Sequence, residues 1–220
     1  SSEIIFTSGA TDSLNRIVFG FMKYFLKGND EVLLTKSEHA SNLLPWYEIA
    51  KTNKIKIKYV ELDDQYRVTI DNIKKALTAN TKVISLAHIT NAIGDIRDIK
   101  AIGALCKEKN ILFVVDAAQS LGHIEIDVEN ISFLAASGHK MLGPTGIGIL
   151  YGKYELLNQM KPLELGGGMN ATFASDGHLE LKDLPERLEA GTPNIAGAIG
   201  LGKAIEYLEK IGLKNIEQYE

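Results

Sequence analysis

Cysteine is almost absent: Cys106 is the single one in 220 residues. One thiol cannot build an internal disulfide framework, so stability must come from the core, and the chain suits a reducing compartment. Basic residues are not in excess. The 24 Lys and Arg against 28 Asp and Glu leave a net charge of −4, which gives no reason to expect nucleic acid or an anionic membrane as partner. Apolar runs as long as a membrane span are also lacking, and the opening SSEIIFTSG has no basic start of the signal-peptide kind. The expected setting is therefore cytoplasmic. His123 and His178 show no metal-ligand spacing with Cys106 or with each other, so no metal is expected. Internal repeats, low-complexity tracts and interdomain linkers are missing too.

What is present is alternation. Apolar runs of strand length (Ile4–Phe6, Glu31–Thr35, Ile55–Val60, Lys82–Ala87, Ile111–Val115, Ile131–Ala136, Gly146–Tyr151) alternate with helical patterns. Leu14, Ile17, Val18, Phe21, Met22 and Phe25 define one helix face, and further helices are expected over Leu43–Lys51, Thr69–Leu77, Asp98–Lys109, about Lys153–Gln159 and Ile195–Ile211. From Lys161 the texture turns irregular, with a hairpin expected among the glycines and Phe173, His178 and Pro185. Such βα alternation predicts an α/β fold: a mostly parallel, mixed sheet flanked by helices.

The stretch Ile111–Gly148 organises the rest. Its first apolar run ends in Asp116 and then Gln119, its second in Ser137, Gly138, His139 and Lys140. Ligands of α/β sheets sit outside the carboxyl ends of parallel strands, so adjacent strands would set a carboxylate and an amine at one rim. Lys140, hemmed by Gly138, Gly143 and Pro144, is either a desolvated nucleophile able to form a Schiff base or a surface lysine in a glycine turn. Asp116 is either a cap over Ala117–Ser120 or the partner of a pyridinium nitrogen, the pairing by which proteins tune pyridoxal phosphate. Ser8-Gly9-Ala10-Thr11 lies where a strand turns into a helix, a junction that suits an anion or simply a capped helix. It matches neither the P-loop nor the dinucleotide fingerprint, so a phosphate is indicated without a nucleotide. His39 could lie flat on an aromatic cofactor or be a hydrogen-bonded loop group, and His88 and Asn91 decide nothing singly. Cys106 is read as helix packing.

Together these residues resemble the pyridoxal-phosphate enzymes of the class V aminotransferase family (fold type I), in particular the cysteine desulfurase and selenocysteine lyase branch. The matching runs are Ser8–Asp12, Glu38–Trp46, His88–Gly94, Val115–Ser120, Ser137–Tyr151, Gly166–Met169 and Arg187–Asn194. The resemblance implies pyridoxal 5'-phosphate bound covalently to Lys140, which then shuttles the substrate's α-proton. It puts Asp116 on the ring nitrogen, Gln119 on the phenolic oxygen and His39 stacked on the ring. Thr11, Ser137, His139 and backbone N–H groups near Ala10 would hold the phosphate. Asn91 would serve the substrate carboxylate or ring oxygen, and Thr192 would reach the phosphate of a neighbouring subunit in a homodimer. The implied reaction takes L-cysteine to L-alanine, with sulfur passing to an enzyme persulfide, then to an acceptor protein and iron–sulfur cluster assembly. Other members of the family, an aminotransferase, a kynureninase-like or an epimerase-like enzyme, and a non-catalytic α/β scaffold remain alternatives at this point.

There are departures. Ala10, Ala40 and Asp95 replace residues of the family pattern. The family's nucleophilic cysteine and carboxylate-binding arginine have no counterpart, and Cys106 does not occupy the nucleophile's place. Residues 1–220 are thus expected to form a cofactor-binding large domain, with an N-terminal segment and a C-terminal small domain lying outside them, and to be inactive alone.

Overall fold

A computed structural model describes residues 2–173 and 178–220. Seven strands form the main sheet: β1 (Ile4–Thr7), β2 (Glu31–Leu34), β3 (Lys56–Tyr59), β4 (Thr81–Ala87), β5 (Leu112–Asp116), β6 (Phe133–Ser137) and β7 (Gly148–Gly152). Their order is β1-β7-β6-β5-β4-β2-β3. Neighbours pair parallel from β3 through to β6, and β7 alone runs antiparallel to both β1 and β6.

β5, Leu-Phe-Val-Val-Asp, has no polar alternation because helices cover both faces of a central strand. Period-two geometry then divides its side chains. Val114 packs with Leu14, Ile17, Phe21, Trp46 and Ile49, whereas Phe113 and Val115 pack with Ile73, Ile102, Leu105 and Cys106 on the opposite face. The first group comes from α1 (Ala10–Asn15), its continuation through α2 (Lys23–Phe25), and α3 (Leu44–Asn53). The second comes from α4 (Ile70–Ala76) and α5 (Ile99–Lys109). Helix starts follow capping chemistry: Thr69 Oγ1 accepts the Asn72 N–H and Asp98 Oδ1 the Ala101 N–H.

The expected elements are present, with local differences. Between α1 and α2 the helix takes π geometry over Arg16–Met22. The missing side chain of Gly20 explains the close approach there: a Cβ would stand 2.7 Å from the Lys161 carbonyl, and Lys161 N–H donates to Gly20 O. The strand expected from Gly146 begins at Gly148, because Gly146 sits at φ 75 in a turn. The helix expected over Lys153–Gln159 shortens to α6 (Tyr154–Leu157), and Ala117–Ser120 is a series of turns instead of a helix. The hairpin forms as β8 (Asn170–Phe173) and β9 (Leu179–Leu181). α7 (Ile195–Ile211) has the expected bounds and is followed by α8 (Leu213–Tyr219).

Candidate active site

Parallel pairing of β4, β5 and β6 brings their carboxyl ends together, with Ala87 opposite Asp116 and Asp116 opposite Ala135. A cavity of about 270 Å³ opens there. Asp116, Gln119, Ser137, His139 and Lys140 line it from β5, β6 and the turns after them, Asn91 from the loop after β4, and His39, Ala10 and Thr11 from across the rim. Nine of the ten residues expected at the site thus share one hollow.

Asp116 is buried, and its Oδ1 accepts the Ala118 N–H at 2.9 Å. Burial raises its carboxyl pKa and Glu38 adds to the rise, while the Ala118 amide and the Lys140 and His39 charges pull the other way. A buried acid in that balance favours a cationic partner at the hollow.

Lys140 closes a single 3₁₀ turn, Gly138–Lys140. The turn is held by backbone: Gly138 O accepts the Met141 and Gly143 N–H groups at 3.0 and 2.8 Å. A Cβ on Gly143 would stand 2.8 Å from that same oxygen, so the glycine is required. Leu142 adopts φ 62, a left-handed conformation costly for a branched side chain. From below, His123 Nε2 donates to the Lys140 carbonyl at 2.8 Å and Nδ1 faces Glu220 at 2.8 Å. Burial opposes charge on His123, but these two acceptors outweigh it and raise its pKa.

The opposite end carries hydroxyls. Ser137 Oγ accepts the Ala10 N–H at 2.7 Å, so this amide, expected to serve a phosphate, is engaged by Ser137. Thr11 Oγ1 lies 2.7 Å from Ser41 Oγ. Thr192 is the expected residue that does not join the hollow. It lines a separate cavity of about 570 Å³ with Ser8, Arg16 and Asn194, and the two cavities share only Thr11.

Sequence reading assigned no role to Glu38, Ser41 or Arg97. Arg97 and Glu38 are fully buried and paired, and Arg97 also reaches Thr35 Oγ1 and Ser37 Oγ. Glu38 Oε2 accepts the Ala87 N–H at 2.7 Å and the Asn42 side-chain amide at 2.8 Å. Asn42 Oδ1 in turn accepts Ser85 Oγ at 2.6 Å and Trp46 Nε1 at 3.3 Å. The loop that presents His39 is thereby bolted to the end of β4.

His88 is buried and burial pushes its pKa down to about 4. An unfolded histidine titrates near about 6.5, so between the two values the unfolded chain binds the extra proton and stability drops as pH falls. We expect the thermal midpoint to decline from about pH 6.5 toward about pH 4, and His88→Asn to remove that part of the decline. Asp116, whose pKa is raised, contributes with opposite sign in acid, so the difference between variant and wild type isolates His88. A variant curve parallel to wild type would contradict this. The thiol of Cys106 is buried in α5 and lifted to about 12 by desolvation, an inert packing residue as expected. Among the described residues no His, Cys, Asp and Glu cluster could hold a metal ion, and no helix is long and apolar enough to cross a membrane.

A fold with one antiparallel strand in a parallel sheet, and a lysine and an aspartate at one strand-end hollow, have close relatives among known proteins. The aminotransferase class-V family model matches residues 1–220, and the chain belongs to that family. It is 41% identical over 222 residues to a probable cysteine desulfurase of Halalkalibacterium halodurans, covering 100% of this chain and 54% of the relative. It is 43% identical over 224 residues to a probable cysteine desulfurase of Pyrococcus abyssi, covering 99% and 54%. The apo structure of the cysteine desulfurase from Thermococcus onnurineus superposes with a TM-score of 0.94 at 40% identity, over 99% of this chain and 54% of that one. The chain spans about half the length of the relatives it matches.

Proposed function

We propose that the protein carrying this chain is a pyridoxal-phosphate-dependent cysteine desulfurase, converting L-cysteine to L-alanine and passing the sulfur to a thiol. The observation that carries this reading is the shared hollow: a half-buried Lys140 and a buried Asp116 line one cavity whose far end bears hydroxyl groups. The residues present fit the cofactor. Asp116 supplies the anion that a protonated ring nitrogen requires, and Thr11, Ser137 and His139 supply donors for a phosphate. Bound there, pyridoxal phosphate supplies an electron sink for the substrate's Cα.

The chain's own groups divide the remaining work. Lys140 holds the cofactor and then moves the proton at Cα. Asp116 keeps the ring nitrogen protonated, His39 covers the ring face, Gln119 binds the phenolic oxygen and Asn91 steadies the substrate carboxylate or ring oxygen. Cys106 cannot receive the sulfur, because it is buried under the sheet in α5 with a thiol pKa near 12. The accepting thiol therefore comes from outside residues 1–220, in the same full-length chain or another protein.

The same reading takes residues 1–220 as a large domain accompanied by an N-terminal segment and a C-terminal small domain, in a cytoplasmic homodimer that hands sulfur on, as for iron–sulfur cluster assembly. Thr192, in a cavity apart from Lys140, is available to a neighbouring subunit's phosphate. The test is Asp116→Asn in the full-length protein. An amide cannot hold the ring nitrogen's proton, and removing one member of a buried charge pair costs on the order of 10²–10³-fold in equilibrium or rate. Cofactor affinity, read by absorbance titration, and L-alanine formation should both fall by that order. Wild-type values in the variant would remove Asp116 from the role, and a wild-type protein that never takes up the cofactor would refute the function.

A further inference from the structure

Three side chains at the rim of the hollow form a continuous line. Thr11 Oγ1 is 2.7 Å from Ser41 Oγ, and Ser41 Oγ is 3.0 Å from His39 Nδ1. All three residues line the same cavity. The polarity of the line follows from one further contact: the Ser41 backbone N–H points at His39 Nδ1 from 3.2 Å. A backbone N–H can only donate, so Nδ1 is an acceptor and a neutral His39 carries its proton on Nε2. Ser41 Oγ must then donate to Nδ1, which leaves its oxygen to accept from Thr11.

Each hydroxyl has one proton to give. A phosphate oxygen at Thr11 accepts only, and so claims the Thr11 proton. Ser41 can then keep its short contact with Thr11 only by donating to the Thr11 oxygen, and it must release His39 to do so. Two protons cannot serve three contacts. We propose that Ser41 is a positioning residue that couples anion occupancy at Thr11 to the hydrogen bonding, and hence the hold, of the His39 ring. The inference rests on the reading that the Thr11 end of the hollow receives a phosphate. It implies that His39 is held by both Ser41 contacts while the anion end is empty, and by the Ser41 backbone N–H alone as the anion seats.

The experiment is long-range ¹H–¹⁵N NMR of histidine rings in the full-length protein freed of cofactor, at a pH above the imidazole range, with inorganic phosphate as the probe. Wild type should show His39 protonated at Nε2 and not at Nδ1, and phosphate should displace the Nδ1 resonance. In Ser41→Ala the phosphate response should shrink to the through-space effect of the anion alone, since the side-chain link is gone while the backbone N–H remains. Ser41→Thr, which restores the hydroxyl, should recover it. A His39 protonated at Nδ1, a wild-type resonance indifferent to phosphate, or an equal displacement in Ser41→Ala would each overturn the proposal. Uptake of pyridoxal phosphate by the wild type is followed separately by absorbance. Failure there would refute the proposed function and leave the phosphate response of Ser41 as measured.

Discussion

On the proposed function, the full-length Lys140→Ala protein should lack the absorbance of covalently held pyridoxal phosphate, and its L-alanine production should fall on the order of 10³-fold or more, the contribution of a lost general base alone. The loss should not come from unfolding. What holds the turn is backbone: the Met141 and Gly143 amides on the Gly138 carbonyl, and His123 on the carbonyl of residue 140, all of which survive removal of the side chain. Lys140 is only half-buried, so no large cavity is left behind. Lys140→Arg sharpens the result. It retains a positive charge near Asp116 but a guanidinium cannot serve as nucleophile or base, so it should fail as fully as alanine. If the yellow absorbance persists in Lys140→Ala, the lysine assignment is wrong.

The second large effect is on stability. Arg97→Leu leaves Glu38 charged, buried and short of its main partner, and breaking such a pair costs about 3–5 kcal/mol. Glu38→Leu strands Arg97 in the same way, with Asp95 Oδ2 at 3.6 Å from Arg97 Nε as its remaining counter-charge. The double replacement removes both charges at once and should cost much less than the two single changes added together. Recovery will be incomplete, because in the double variant the Ala87 and Asn42 amides lose Glu38 and the Ala87 carbonyl loses Arg97. Urea unfolding midpoints measure all three. Single variants within about 1 kcal/mol of wild type would show that the pair behaves like a surface bridge. Since His39 follows Glu38 directly, the same variants should weaken cofactor uptake although neither residue lines the hollow.

Sequence alone made the sheet legible wherever an apolar run ended in a sharp polar signal. β5 and β6 are such runs, and their endings, Asp116 with Ser137, His139 and Lys140, line the candidate site. α7 was legible from its long periodic face. The π-helical stretch was not, because Leu14, Ile17, Phe21 and Phe25 keep a helical repeat while the deviation is imposed from outside, where the Lys161 segment meets Gly20. α6 was overestimated because four apolar or helix-favouring residues read like the start of a longer helix. The site residues found from motifs were those whose chemistry is visible one at a time. Glu38 and Arg97, 59 positions apart, look like ordinary surface charges until the fold buries them together. Ser41 sits inside a quoted motif, yet its role depends on Thr11, brought to it from 30 positions away.

The reversed strand β7 has a consequence for how the protein is made. β1 reaches the body of the sheet only through β7, which joins it to β6 on the other side. Until residues 148–152 have been synthesised and inserted, Ala10 cannot meet Ser137, a contact spanning 127 positions. Pairings between such distant segments close late in folding. The hydroxyl end of the hollow thus depends on a non-local closure through β7, whereas β2 to β6 pair with one another without it.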